Sequence, residues 1–149
     1  MAEDDKNSKI RILIVENNIV LRKGLSQLLN FEDDITVCGV TSTVSGALEL
    51  LELNNTDLII LDIALNGVSG MDLLKEVAKN HLQIPIIVLS MHEESYFIDR
   101  SLHIGARGYI LKQDAPETIV EAIHKVLDGE IFISKSLTHI PAQKGIAQS

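Results

Sequence analysis

Two hydrophobic patterns alternate along the chain. Short aliphatic and β-branched runs recur, and between them lie stretches with apolar residues every three or four positions. The runs predict strands that are buried on both faces, and they cover residues 10–15, 35–40, 58–61, 86–89 and 109–111. Thr36 is a polar residue within the second run, which predicts that this strand lies at an edge of the sheet.

The stretches between the runs predict amphipathic helices. Their apolar positions include Leu21, Leu25, Leu28 and Leu29; Val44, Ala47, Leu48 and Leu51; Leu73, Leu74, Val77 and Ala78; and Ile119, Val120, Ile123, Val126 and Leu127, with a further helix over residues 94–104. Ser69 is the expected N-cap of the third helix, and the last helix begins near Pro116 and ends before Gly129. Five successive strand–helix units predict a doubly wound α/β fold with a parallel sheet.

Composition narrows the class of protein. The 149 residues include 13 lysines and arginines against 21 aspartates and glutamates, which gives a formal net charge of −8 and an isoelectric point near 5.0. An acidic chain is a poor match for phosphate backbones, so direct nucleic-acid binding is disfavoured. No apolar run approaches the ~20 residues that span a bilayer. The acidic N-terminus is unlike a secretory signal and Cys38 is the only cysteine, which favours a cytoplasmic location.

Polar residues directly follow four of the predicted strands. Glu16 and Asn17 follow the first, Asp62 the third, Ser90 the fourth and Lys112 the fifth. The carboxyl ends of parallel strands meet at one edge of a sheet, so these side chains are expected to line one crevice. Carboxylates suit Mg²⁺, a lysine and a hydroxyl suit phosphate oxygens, and an aspartate beside a metal can act as a nucleophile. The set predicts aspartyl phosphorylation.

Around these residues the sequence resembles the receiver domain of bacterial response regulators. The motifs, in order, are Leu61-Asp62-Ile63, the glycine-containing stretch 67–74, Ser90-Met91-His92 and the stretch 105–112 that ends in Tyr-Ile-Leu-Lys. The likeness covers residues 10 to about 134 and is strongest to the NarL/FixJ subfamily, whose members usually carry a LuxR-type helix-turn-helix. It implies a flavodoxin-like, five-stranded parallel sheet with strand order 2-1-3-4-5.

The resemblance also implies a role for each site residue. Asp62 is the phosphoryl acceptor, and Lys112 and Ser90 contact the phosphoryl group. Tyr109 is the aromatic switch residue, although it could simply be a β-forming residue on an edge strand. The implied Mg²⁺ ligands are Glu16 (through water), Asn17, Asp62 and the backbone carbonyl of Ala64.

One position departs from the family pattern in a way that affects the chemistry. The family usually has an aspartate, a direct metal ligand, where this chain has Asn17. A neutral amide oxygen holds Mg²⁺ less tightly than a carboxylate, so weak Mg²⁺ binding or slow phosphorylation is expected. Gly67 and Gly70 are expected to allow a loop with positive φ and a close backbone approach, and no nucleotide site is predicted.

The expected organisation is an acidic extension over residues 1–9, a receiver over 10–134, and a C-terminal extension or truncated linker over 135–149. The leading function is a phosphorylation switch, not a metabolic enzyme, with a sensor histidine kinase or phosphotransfer protein as donor. Homodimerisation is expected through the face of the fourth helix, fifth strand and fifth helix, roughly residues 96–126. No membrane or direct DNA contact is expected.

Three other readings stay open. The chain could be the regulatory part of a transcription factor whose helix-turn-helix domain is absent here. It could also be a pseudo-receiver, in which Asn17 has weakened the chemistry and the fold serves as a constitutive interaction module. A flavodoxin-like hydrolase or flavin protein is disfavoured because only 3% of the residues are aromatic.

Overall fold

The computed structural model describes residues 8–65, 68–81 and 83–137, without the side chains of Val68 and Ser69. The elements are β1 (Ile10–Val15), α1 (Ile19–Asn30), β2 (Ile35–Thr41), α2 (Val44–Leu53), β3 (Leu58–Asp62), β4 (Ala64–Leu65), β5 (Val68–Ser69), α3 (Gly70–Asn80), β6 (Ile86–Ser90), α4 (Ser95–Ile104), β7 (Gly108–Leu111), α5 (Ala115–Leu127) and β8 (Phe132–Ile133), with 3-10 turns at Lys112–Asp114 and Lys135–Leu137. Most of the two predicted extensions, Gly67 and the Ser69 side chain lie outside this description.

One parallel sheet organises the fold, with strand order β2-β1-β3-β6-β7-β8. The predicted doubly wound α/β class is confirmed, as is the order of the five predicted strands, and β2 is an edge strand as Thr36 indicated. The prediction of five strands was wrong by one, because β8 adds a sixth beside β7 through the pairs Gly108–Phe132 and Tyr109–Ile133. The short strands β4 and β5 form a separate antiparallel pair.

Helices cover both faces of the sheet. The apolar sides of α1 and α5 pack on one face, around Ile12, Ile14 and Ile60, and those of α2, α3 and α4 pack on the other, around Leu13 and Val15. Because every residue of β3 and β6 is buried, these central strands consist almost entirely of aliphatic side chains. Among the described residues, no helix combines the length and the hydropathy that a membrane span requires.

A histidine–aspartate pair joins α5 to the loop before β2. His124 Nε2 lies 2.7 Å from Asp34 Oδ2, and His124 Nδ1 lies 3.0 Å from the Val120 carbonyl oxygen. Both ring nitrogens thus face acceptors, an arrangement that suits the imidazolium form. The hydrogen bond to Asp34 raises the pKa of His124 above its ordinary 6.5, and the same bond lowers the pKa of Asp34 below its ordinary 3.8.

This pair predicts a pH-dependent contribution to stability. The raised pKa of His124 stabilises the fold below about pH 6.5, and this stabilisation is lost as the pH rises through the pKa of the folded state. The lowered pKa of Asp34 stabilises the fold above about pH 3.8, and this stabilisation is lost as the pH falls through the pKa of the folded state. Because both side chains are about half exposed, we expect His124→Gln to lower the free energy of unfolding by only about 0.5 kcal/mol near pH 6, and by less near pH 9. Urea unfolding at both pH values measures this. An equal loss at the two pH values, or the same pH trend in His103→Gln, a variant of an exposed histidine in α4, would contradict the assignment.

Candidate functional site

Two carboxylates and one ammonium group meet at the carboxyl ends of β1, β3 and β7. Lys112 Nζ lies 3.0 Å from Glu16 Oε2 and 3.1 Å from Asp62 Oδ2. The Glu16 and Asp62 side chains are essentially buried, at 0% and 1% exposed, whereas Lys112 retains 19%. The structure therefore brings together three of the predicted site residues, and they carry one net negative charge.

Asp62 is held by backbone amides on either side. Its Oδ1 accepts the N–H of Ala64 at 3.0 Å, and its Oδ2 accepts the N–H of Asn17 at 3.3 Å. A Cβ on Gly70 would lie 2.5 Å from the Asp62 carbonyl oxygen, so α3 can begin against this backbone only with glycine at that position. The expected close approach at Gly70 is confirmed, but the expected positive φ there was wrong, since the described glycines with positive φ are Gly105 and Gly129.

Glu16 is fixed by residues for which no role was predicted from the sequence. The Asn18 N–H donates to Glu16 Oε2 at 2.9 Å, while Asn18 Oδ1 caps α1 by accepting the N–H groups of Val20 and Leu21. Arg22 Nη1 donates to the Glu16 carbonyl oxygen at 2.8 Å. An asparagine just before an apolar helical stripe is an N-cap signal, so the capping role of Asn18 could have been predicted from the sequence. The Arg22 contact depends on the tertiary fold and leaves no such signal.

Burial and charge act against each other in this cluster. Burial raises the pKa of Glu16, and nearby Asp62 adds to the rise, although the Asn18 amide and Lys112 partly offset it. For Lys112, burial alone would lower the pKa, but the hydrogen bonds to Glu16 and Asp62 outweigh it, and the pKa of the ammonium group is raised. Lys112 is therefore a firmly charged cation beside two crowded carboxylates.

One carboxylate oxygen in the cluster is left over. Glu16 Oε1 is buried and has no hydrogen-bond partner among the described residues. A buried, unpartnered anionic oxygen is costly, and a cation or a water bound to one would remove that cost. With the Asp62 carboxylate, this gives hard oxygen donors of the kind that suit Mg²⁺, and the backbone N–H of Asn17 lies 3.3 Å from Asp62 Oδ2. Within the described ranges, however, no group of three or more acidic, histidine or cysteine residues is placed to hold a metal ion. Position 17, next to Glu16, is an asparagine.

Ser90 and Tyr109 are linked to each other through the backbone of His92. Ser90 Oγ accepts the His92 N–H at 2.9 Å, and the Tyr109 hydroxyl donates to the His92 carbonyl oxygen at 2.9 Å. The His92 ring stacks on Phe97 with centroids 4.1 Å apart. Tyr109 is fully buried, which raises the pKa of its hydroxyl. The alternative that Tyr109 lies on an edge strand was wrong, because β8 covers β7.

Comparison of the sequence with models of known protein families identifies the family to which this chain belongs. The model of the response regulator receiver domain matches residues 12–124, which is most of the chain. This protein belongs to the response regulator receiver family. The prediction made from the ordered motifs is thereby confirmed, and with it the assignment to two-component signalling.

Relatives of this receiver include a nitrate/nitrite response regulator and a transcriptional regulatory protein. The chain is 34% identical over 131 residues to the nitrate/nitrite response regulator protein NarL of Escherichia coli K12, which covers 88% of this chain and 61% of NarL. It is 29% identical over 139 residues to the transcriptional regulatory protein DegU of Brevibacillus brevis, covering 93% of this chain and 59% of DegU. The chain thus spans about three fifths of these curated relatives.

A solved structure shares the fold of this receiver. A LuxR-family two-component response regulator from Aurantimonas superposes with a TM-score of 0.85 at 24% identity, covering 93% of this chain and 99% of the other. At that identity the match supports the fold alone. It agrees with the doubly wound sheet described above.

Proposed function

We propose that this receiver is a phosphorylation switch whose acceptor is Asp62. The observation that carries the proposal is that Lys112 Nζ, at the carboxyl edge of the sheet, lies 3.1 Å from the buried Asp62 carboxylate and 3.0 Å from the buried Glu16 carboxylate. Receiver domains of this kind are phosphorylated by histidine kinases, so we propose a sensor histidine kinase or a phosphotransfer protein as the donor. Apart from its own phosphotransfer and dephosphorylation, the domain catalyses no metabolic reaction.

The proposed step is a simple displacement at phosphorus. An oxygen of the Asp62 carboxylate attacks the phosphorus of a phosphohistidine, or of acetyl phosphate. The P–N or P–O bond breaks, its electron pair leaves with the imidazole or the acetate, and an acyl phosphate forms on Asp62. Lys112, already 3.1 Å from Asp62, would neutralise charge on the phosphoryl oxygens, and the Ser90 hydroxyl would donate a hydrogen bond to one of them.

Mg²⁺ is the cofactor that these residues fit. Glu16, Asn17, Asp62 and the Ala64 carbonyl would hold it, and its charge would offset the negative charge of the incoming phosphoryl group. The free Glu16 Oε1 supports a cation requirement at this position. The pair of contacts that His92 makes with Ser90 and Tyr109 supports a switch in which the hydroxyl and the ring change position together.

We propose that the switch changes partner binding or dimerisation at the face formed by α4, β7 and α5. Tyr96, at the start of α4, is 63% exposed and is the largest apolar side chain offered there among the described residues. Since this chain covers about three fifths of its curated relatives, we propose that it acts as the regulatory part of a cytoplasmic transcriptional regulator. DNA contact would belong to an output domain, not to this acidic receiver.

Intact mass measurement after incubation with acetyl phosphate tests the proposal. With Mg²⁺ present, the wild-type chain is expected to gain one phosphoryl group, and with a chelator it is expected to gain none. A known receiver run in parallel shows that the reagents work. A folded wild-type chain that gains no adduct with Mg²⁺ would favour the second candidate, a pseudo-receiver. Asn17 is the observation that supports that candidate, because it removes a carboxylate from the metal site.

Restoring the missing carboxylate is expected to strengthen metal binding. Asn17→Asp places a second acidic neighbour beside Asp62, so we expect the Mg²⁺ dissociation constant to fall about tenfold. Titration calorimetry of wild type and variant measures this. The matched control is Asn55→Asp, which adds the same charge on an exposed residue in the loop before β3, at the opposite end of the sheet. Equal affinities of wild type and Asn17→Asp would show that Asn17 does not limit Mg²⁺ binding.

A further inference from the structure

A buried serine beyond β8 completes the hydrogen bonding at the end of β7. The Ser134 N–H donates to the Tyr109 carbonyl oxygen at 3.0 Å, and Ser134 Oγ accepts the Leu111 N–H at 2.9 Å. Ser134 is fully buried. One residue therefore satisfies two backbone groups of β7, one with its own backbone and one with its side chain.

The second of these bonds lies immediately before the site lysine. Leu111 is the last residue of β7, and the next residue, Lys112, begins a 3-10 turn. The Lys112 side chain reaches Glu16 and Asp62. The lysine side chain is long and flexible, so the position of its ammonium group depends on how firmly its backbone is held. Leu111 is only 2% exposed, so water is poorly placed to replace a lost acceptor for its N–H.

We propose that Ser134 is a positioning residue for Lys112, acting through its hydrogen bond to the Leu111 amide. The inference rests on the proposed function, since it concerns the same phosphorylation site. It adds that residues 132–137 are part of the switch. Leu137 is fully buried in the apolar cluster that also holds Tyr109 and Leu111. A displacement of β7 at the site would therefore reach the point where the chain continues beyond residue 137.

Thermodynamic reciprocity makes this coupling measurable from either end. If the state of the site alters the packing of residues 132–137, a change at Ser134 must alter the affinity of the site for its ligand. The probe is beryllofluoride, a phosphomimetic, added together with Mg²⁺. Binding is measured by titration on the full chain, beside the rate of phosphorylation by acetyl phosphate.

Ser134→Ala is expected to weaken beryllofluoride binding, and to slow phosphorylation, by about fivefold, since it removes one hydrogen bond that holds the lysine strand. Ser134→Thr, which keeps the hydroxyl, is expected to restore both. The matched control is Ser101→Ala in α4: Ser101 is also fully buried, but its Oγ has no partner among the described residues. That variant is expected to stay within twofold of wild type in both measurements.

The outcomes separate the two levels of the proposal. If wild type takes up neither beryllofluoride nor a phosphoryl group, the proposed function fails, and the positioning role with it. If wild type responds and a folded Ser134→Ala matches it in affinity and rate, the positioning role alone is overturned. Should Ser134→Ala not fold, Ser134→Cys replaces it, because sulfur is a weaker acceptor of similar size. Unchanged affinity and rate in that variant would also overturn the role.

Discussion

Asp62→Ala is expected to abolish phosphorylation completely. The variant lacks the carboxylate on which the acyl phosphate would form, so no adduct should appear by intact mass after incubation with acetyl phosphate and Mg²⁺. The effect is complete rather than partial because Glu16, the other carboxylate of the cluster, is fully buried, and its Oε2 is held by Lys112 and the Asn18 amide. The wild-type adduct, measured in the same conditions, defines full modification.

The fold of Asp62→Ala is expected to persist. The Lys112–Glu16 ion pair at 3.0 Å remains, and removal of a nearby negative charge eliminates one of the causes that raise the pKa of Glu16. We therefore expect the free energy of unfolding to stay within about 1 kcal/mol of wild type. The matched control is Asp72→Ala, an exposed aspartate in the first turn of α3, which should be modified like wild type. A full adduct on Asp62→Ala would show that another residue is the acceptor.

The main layers of the fold could be predicted because burial dictates the residue types. Strands in the centre of a parallel sheet are covered on both faces, so β3 and β6 are continuous aliphatic runs. Helices that cover such a sheet bury one stripe, and this gives the three-to-four-residue period. These two periods differ enough to locate five strand–helix units without any knowledge of the three-dimensional contacts.

The residues at strand ends could also be predicted, because topology alone brings them together. Once a parallel sheet is accepted, Glu16, Asp62 and Lys112 must share one edge. In the structure, Lys112 Nζ lies 3.0 Å from Glu16 Oε2 and 3.1 Å from Asp62 Oδ2. Their roles depend on chemistry that geometry alone does not assign. Asp62 as acceptor and the metal ligands therefore remain proposals.

The part that could not be predicted is made of short elements and long-range contacts. β8 consists of two residues, too few for any period to be detected, and it is recognised only by its pairing with β7. Because β8 pairs with β7, the strand that contains Tyr109 is an interior strand of the sheet and not an edge strand. Ser134 likewise looks like an ordinary turn residue in the sequence, and its importance comes from the Leu111 amide, 23 positions earlier in the chain.

Lys112→Met is expected to slow phosphorylation of Asp62 by about a hundredfold. Methionine fills similar space but supplies no positive charge, so the negative charge on the transferring phosphoryl oxygens loses a placed cation. In addition, Glu16 and Asp62 would lose the cation between them. In the wild type, Lys112 partly offsets the rise in the pKa of Glu16 that burial causes. The rate is measured by intact mass over time, with acetyl phosphate and saturating Mg²⁺.

Two further variants show whether the loss comes from charge at this position. Lys112→Arg keeps the charge but presents a planar, forked group, so its rate should fall between those of wild type and Lys112→Met. Lys79→Met removes an exposed lysine near the end of α3 and should leave the rate unchanged. If Lys112→Met is folded by circular dichroism and reacts within threefold of wild type, the ammonium group of Lys112 does not stabilise the transition state. Its contacts with Glu16 and Asp62 would then serve only to neutralise two buried carboxylates.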